Sequence, residues 1–368
     1  MLRQFTRLCV YYAERYIPNP YLYSVILTFI TVAAALIWTA SGLFAVIDAW
    51  YKGIWDIFTF TLQMALVLAT GVTLADAPII KRLLRKLALL PSQQASAAIT
   101  VFLAAAIASW LNWGFGLVVG AIVAREIGKR LKNVDFGFLV AAAYMGFMVW
   151  ASGLSSSIAL ASATHGSTLN IIEKITGKVA GLGDTIFTGY NLVPVVLLIV
   201  IIPFALYFMG PDEKDMKRVD PEELIRQDEV PAPVNQGKTF ATMLENAWPI
   251  TVLLVLMGVI YEIHTISVKG FSLDINGFIF LALMLGLILH GRPIHYVRSF
   301  EAGARTVGPI LLQFPLYGGI MGIMTGTKLA GVIAATFVAF STPRTLAFWS
   351  FISSNIISLF VPSGGGHW

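Results

Sequence analysis

Charge is what this chain has least of. Asp, Glu, Lys and Arg make up 12% of its 368 residues, against roughly 25% in soluble domains, which excludes an ordinary water-facing surface. Cysteine occurs once, as Cys9, so an intrachain disulfide and a cysteine-based metal site are both excluded. The histidines, His165, His264, His290, His295 and His367, have no ligand spacing, and most lie near the ends of apolar runs. We read them as interfacial or solvated and expect no metal. No nucleophile elbow, metalloprotease helix, phosphate loop or nucleotide motif is present, so an enzyme has little support. Ionisable side chains are almost missing from the apolar runs. Asp56 and Glu262 sit near run ends, and no carboxylate relay for protons is visible mid-run.

What remains is apolar. Residues of that kind make up 57% of the chain, and several uncharged runs are long enough to cross a bilayer of about 30 Å as helices. The expected fold is an all-α integral membrane protein, a polytopic helical bundle. The base excess of +5 collects at run ends, where it sets orientation, and does not point to nucleic acid. Spans are expected near 21–39, 55–74, 136–153, 192–209, 248–260, 275–289 and 307–324, and a last apolar arm, 346–360, is expected to lead into the tip of a second hairpin. A basic interfacial helix is expected near 81–86 and an apolar interfacial one near 330–340. Residues 1–20, with Arg3, Arg7 and Arg15 among aromatics, read as an amphipathic helix on the membrane. The polar segment 210–246 reads as a cytoplasmic linker, which divides the chain into a first membrane repeat (1–209) and a second (247–368). A cytoplasmic N-terminus places the basic clusters at 81–86, 125–132 and 292–305 on one side.

The stretch 95–124 is interrupted at 112–116. It is either two ordinary spans or a re-entrant hairpin. The first arm, to Leu111, is about 24 Å long, and the second, from Leu117 to the charge at Arg125, about 12 Å. That shortfall favours a re-entrant hairpin near 95–124, whose turn would line a ligand site, because exposed backbone survives at membrane depth only beside protein or a wet cavity. A shift of 250 positions aligns Gln63 with Gln313, Gly114 with Gly364 and Gly116 with Gly366. The paired segments would run in opposite directions, as in carriers built from inverted repeats.

At the turn, Asn112 offers a carbonyl oxygen and an amide, and Gly114 and Gly116 allow close backbone approach and positive φ. Ser363 with Gly364, Gly365 and Gly366 offers a hydroxyl and open N–H groups. Ser155, Ser156 and Ser157 are either the unwound part of a split helix or plain caps at a span end. Helix starts beside such turns attract anions, while carbonyl and hydroxyl oxygens suit a hard cation such as Na+. Without deep carboxylates, Na+ fits more readily than H+ as a coupling ion. No other cofactor is expected. A carrier of small anions is the leading reading. A dicarboxylate carrier and an anion channel remain as alternatives.

The motifs Ser-Trp-Leu-Asn-Trp-Gly-Phe-Gly (109–116), Ala-Arg-Glu (124–126), Gly-Leu-Ser-Ser-Ser (153–157) and Phe-Val-Pro-Ser-Gly-Gly-Gly-His-Trp (360–368) resemble those of the bacterial short-chain fatty acid transporter family of the ion transporter superfamily. The resemblance covers essentially the whole chain. It implies a multi-pass inner-membrane carrier for acetoacetate, butyrate or similar monocarboxylates. It also implies two inverted repeats with re-entrant hairpins, an elevator-like movement and a homodimer. By the same likeness Asn112, Gly114 and Gly116, with Ser363 and Gly364–Gly366, would sit at the hairpin tips. Family members continue past the second glycine run, so the chain is expected to be C-terminally truncated.

Overall fold

A computed structural model describes residues 11–12, 15–16, 19–211, 214, 216–226, 239–360 and 364. Most of the N-terminal amphipathic stretch, His367, and Ser363, Gly365 and Gly366 lie outside the described residues. Among those described the regular structure is helical: α1 (Pro20–Trp38), α2 (Leu43–Asp56), α3 (Phe58–Asp76), α4 (Pro78–Leu87), α5 (Gln94–Leu111), α6 (Trp113–Arg130), α7 (Phe136–Phe147), α8 (Ser157–Ala163), α9 (Ile171–Thr176), α10 (Gly189–Met209), α11 (Pro221–Arg226), α12 (Phe240–Glu245), α13 (Trp248–Lys269), α14 (Ile275–His290), α15 (Pro293–Ala304), α16 (Gly308–Gly326), α17 (Leu329–Phe340) and α18 (Leu346–Phe360). A 3-10 turn, Met148–Ser152, follows α7.

Local chemistry sets many of these starts. Proline opens α1, α4, α13, α15 and α16 in the first turn, where its missing N–H costs nothing. Asp135 and Asp274 cap α7 and α14, accepting from Phe138 N at 2.8 Å and Gly277 N at 2.7 Å. Among the described residues six helical segments are long and apolar enough to cross a membrane, or seven if the bent pair α15–α16 counts as one span. On α10 and α13 the side chains are largely exposed, including Val200, Phe204, Leu253 and Met257. These faces suit hydrocarbon rather than water. The chain is a polytopic helical membrane protein.

The chain forms two compact units, each with its own core. In the first, α16 packs on α1 and α2 around Leu27, Val46, Ile320 and Ile323. The approach is very close: a Cβ on Gly53 would lie 2.2 Å from Gly318 O and 2.7 Å from Gly322 Cα. Gly318, Gly322 and Gly326 recur every fourth residue and face Gly53 and Ala49, the small-residue pattern that lets membrane helices touch backbone to backbone. In the second unit, α5 is the hub, packed on α6, α7 and α10. Its Ala97, Ala98, Ala105 and Ala108 are buried. Small side chains let α6 and α7 close on it, with Phe102, Val123, Ile127 and Leu139 filling the core.

Helices α2 and α15 were not anticipated. Neither contains a long uncharged run. Each interrupts its apolar residues with charges, Asp48 and Lys52 on one, Arg298 and Glu301 on the other, and Lys52 pairs with Asp48 at 2.7 Å on the exposed face. Their ranges matter for the shifted alignment. The shift that pairs Gln63 with Gln313 carries Leu43, the start of α2, onto Pro293, the start of α15. It also carries α3 (Phe58–Asp76) onto α16 (Gly308–Gly326) at both ends. Gly303, the counterpart of Gly53 under the same shift, also meets a backbone closely: its Cβ would lie 2.6 Å from Ala69 O of α3.

Two further expectations are corrected. The interruption at 112–116 is one residue wide, because Gly114 and Gly116 already belong to α6. Neither adopts positive φ, which among the described glycines occurs at Gly166, Gly177, Gly270 and Gly291. Tight packing, not a turn, explains why they are glycine. His290 is buried rather than solvated, its Nδ1 2.8 Å from Gly286 O. Part of the polar segment is docked on the second unit: Lys217 N donates to Asp135 Oδ2 at 2.8 Å, and Leu224 is buried beside Gly128.

Candidate functional site

The site is built where one residue separates two helices. Asn112 ends α5 and starts α6, with extended backbone (φ −151°, ψ 123°). Its Oδ1 accepts from Phe115 N at 3.0 Å, capping α6, and its Nδ2 donates to Val67 O of α3 at 3.4 Å. Its backbone N–H donates to Ala108 O and its carbonyl accepts from Gly116 N, both at 2.9 Å. A single asparagine therefore closes one helix and opens the next, so the reversal needs no loop.

Close approach then fixes what surrounds this tip. A Cβ on Gly71 of α3 would lie 2.4 Å from Phe115 N and 2.7 Å from Asn112 Oδ1. One on Gly114 would lie 2.8 Å from Leu68 Cα, and one on Gly116 would lie 1.9 Å from Ser109 Oγ. Three glycines thus allow α3 to cross the start of α6 and let the last turn of α5 touch the first turn of α6.

The tip is docked on a second break. After the 3-10 turn the chain leaves helical geometry at Gly153 and resumes it at Ser157. Ser155 Oγ accepts from Trp113 N, the first amide of α6, at 2.8 Å. Leu154 N donates to Trp110 O at 2.7 Å, and a Cβ on Gly153 would lie 2.3 Å from that oxygen. Ser156 caps α8, accepting from Ala159 N at 3.4 Å. Asn191 Nδ2 reaches Ser152 O at 3.0 Å and holds the end of the 3-10 turn. The backbone breaks between the 3-10 turn and α8, and Ser156 caps the helix that follows.

Asn112, Gly114, Gly116, Ser155, Ser156 and Ser157 are all buried, and the structure gathers them around this junction. Of the second expected tip only Gly364 is described, as buried. Ser109 and Gly71 were missed by sequence reasoning. The hydroxyl of Ser109 is buried with no hydrogen-bond partner among the described residues. A glycine inside an apolar run, as at Gly71, is the signal that could have marked the crossing.

Chemically the junction offers neutral donors. The amides of α6's first turn carry the positive end of an 18-residue helix. A hydroxyl that accepts from an amide, as Ser155 does, keeps its own proton to donate. No Lys, Arg, Asp or Glu is among the residues named here. Such a set suits one negative charge delocalised over two oxygens better than a dianion.

A family profile described as short chain fatty acid transporter matches residues 1–368. A protein of Escherichia coli (strain K12) is 34% identical over 368 residues, covering 100% of this chain and 83% of its own length. A protein of Haemophilus influenzae (strain ATCC 51907 / DSM 11121 / KW20 / Rd) is 32% identical over 371, again covering 100% of this chain and 83% of its own length. Both carry the name "Putative short-chain fatty acid transporter". No solved structure matches. A multi-pass helical membrane protein with a docked, broken-backbone junction is the class that the fold and the site define. The chain belongs to the short chain fatty acid transporter family, so its work is transport and not catalysis.

Proposed function

We propose that the chain is a secondary carrier that takes up short-chain monocarboxylates such as acetoacetate or butyrate by alternating access, coupled to Na+ or H+. The observation that carries this reading is the Ser155 Oγ to Trp113 N contact, 2.8 Å long, which joins the tip of one helical hairpin to the break in another helix. In the described state the two halves of this contact satisfy each other, with Ser155 buried and Trp113 partly buried. A carboxylate entering between them would take the Trp113 amide and the Ser155 proton as its two donors, replacing one internal bond with two to the ligand. Asn112 keeps the tip in shape, and Ser156 and Ser157 extend the donor set. Ser363 and Gly364, Gly365 and Gly366 are assigned the same role in the second repeat.

The α5–α6 hairpin is read as re-entrant. From Trp113 to Arg125 the uncharged part of α6 spans about 18 Å, still short of a hydrocarbon core of about 30 Å. The inverted repeat accords with the coincidence of α3 with α16 under the one shift. An inner-membrane location with a cytoplasmic N-terminus accords with the Lys and Arg bias. A homodimer is the assembly proposed by likeness to the family.

Uptake of labelled butyrate and acetoacetate into vesicles, with sodium and proton gradients imposed separately, tests the reading. Saturable uptake driven by one gradient is the expected result. No uptake of either acid under either gradient overturns the substrate assignment. Unitary conductance in a planar bilayer would replace the carrier by an anion channel.

A further inference from the structure

The carrier reading makes no use of a basic pocket between α4 and the C-terminal half of α6. Arg85, Lys86, Ala88, Leu89, Glu126, Lys129 and Arg130 line a cavity of about 380 Å³. Four cations face one carboxylate there. Glu126 is engaged by Lys129 at 2.5 Å, which leaves Arg85 at 3.9 Å, loosely held and 66% exposed. Arg130 donates to Pro91 O and is anchored by the loop after α4. Lys86 has no acidic partner among the described residues. Among the described residues lining it, the pocket therefore carries a surplus of positive charge.

Its surroundings say what kind of anion fits. Helix α4 connects two membrane-length helices, α3 and α5, so it lies at a membrane boundary. Ile80, Leu84 and Leu87 turn one face of α4 into the core. Ile79 and Leu83, a quarter turn away, are exposed, as are Leu89 and Leu90 just beyond. The bases occupy the remaining face. A helix with one face in the protein, one apolar face open to hydrocarbon and one basic face matches a ligand with an anionic head and alkyl chains. A free phosphate would use the bases but leave those four apolar side chains without a role.

The geometry points to a phospholipid site here: the phosphate of an anionic lipid sits among Arg85, Lys86, Lys129 and Arg130, with its acyl chains along Ile79, Leu83, Leu89 and Leu90. The site would anchor the moving hairpin arm α6 to the lipid through its C-terminal turn.

The test uses the full chain purified in a zwitterionic detergent, with native mass spectrometry and melting temperature as readouts. Phosphatidylglycerol should be retained as a bound adduct and should raise the melting temperature, whereas phosphatidylcholine should do neither. The double variant Arg85→Gln/Lys86→Gln should weaken phosphatidylglycerol binding by roughly 25-fold, about fivefold per charge. Lys52→Gln, on the exposed face of α2, should leave binding unchanged. Equal retention of the two lipids overturns the proposal, as does undiminished binding by a folded double variant. Inorganic phosphate giving the same stabilisation as phosphatidylglycerol would mean that the pocket reads a free anion, and the lipid assignment fails.

Discussion

Gly53 and Gly71 lie on consecutive helices, and each brings backbone to a distance that no Cβ permits. Around Gly53 are Gly318 O and Gly322 of α16, both within one continuous helix. Around Gly71 are Asn112 Oδ1, Gly114 and Phe115 N, where one helix ends and another begins. The first junction is packing alone. The second has the same closeness, with an interrupted backbone and buried hydroxyls added. In hydrocarbon, small residues suffice to bring helices together. An unwound backbone is tolerated only where protein or a wet cavity covers it, so the place where the two conditions coincide is the candidate site for a polar ligand.

The strongest test of this contrast is Gly53→Val. The obstructing atoms are backbone and cannot rotate away, so we expect a loss of about 3 kcal/mol and little folded protein on size-exclusion chromatography in detergent. A monodisperse variant at normal yield would show that the α2–α16 approach is looser than described. Next comes Gly71→Ala. Its Cβ would press on Phe115 N and Asn112 Oδ1, so uptake should fall by about tenfold, for a strain of roughly 1–3 kcal/mol. Unchanged uptake would separate the crossing of α3 from transport.

Asn112 distinguishes shape from charge. Asn112→Asp retains the cap on α6 while losing the long 3.4 Å donation to Val67 O, and it sets a carboxylate beside the proposed anion, so substrate affinity should drop more than in Asn112→Ala. The alanine variant should lose about 1 kcal/mol of stability with the cap. Equal kinetics in both variants would remove Asn112 from the binding step. The smallest expected effect is from Ser155→Ala, about 1 kcal/mol for one neutral hydrogen bond, read as a several-fold rise in KM with kcat nearly kept. A fall in kcat at constant KM would place Ser155 in the conformational step instead. A cysteine placed at 113 in a Cys9→Ser background checks the depth of the tip. Full labelling from the outer surface in the resting state would rule out re-entrance.

Much of this architecture could be read in advance because the relevant signals are local. The range Pro20–Trp38 follows from an uncharged run opened by an Asn-Pro pair, and α5 ends where the asparagine predicted a turn. Helices α2 and α15 were hidden because amphipathic segments with charges on one face do not form long uncharged runs. At the site, Asn112 and the serines were recognisable as polar breaks within apolar sequence. The packing role of Gly114 and Gly116 was not, since a glycine that permits positive φ and one that permits contact are written alike. The isolation of the Ser109 hydroxyl depends on what lies across from it, which its neighbours in sequence do not reveal.

Run length and polarity thus set where most of the apolar helices lie and where the hairpin reverses, because each depends on the transfer of a residue from water to hydrocarbon. Partnership is another matter. Lipid tails are as apolar as leucine, so hydrophobicity does not choose which helix meets which. Shape does, through the fit of Gly53 to Gly318 and Gly322 and of Gly71 to Gly114. Only with those fits in place do Trp113 and Ser155, 42 residues apart, come within one hydrogen bond of each other.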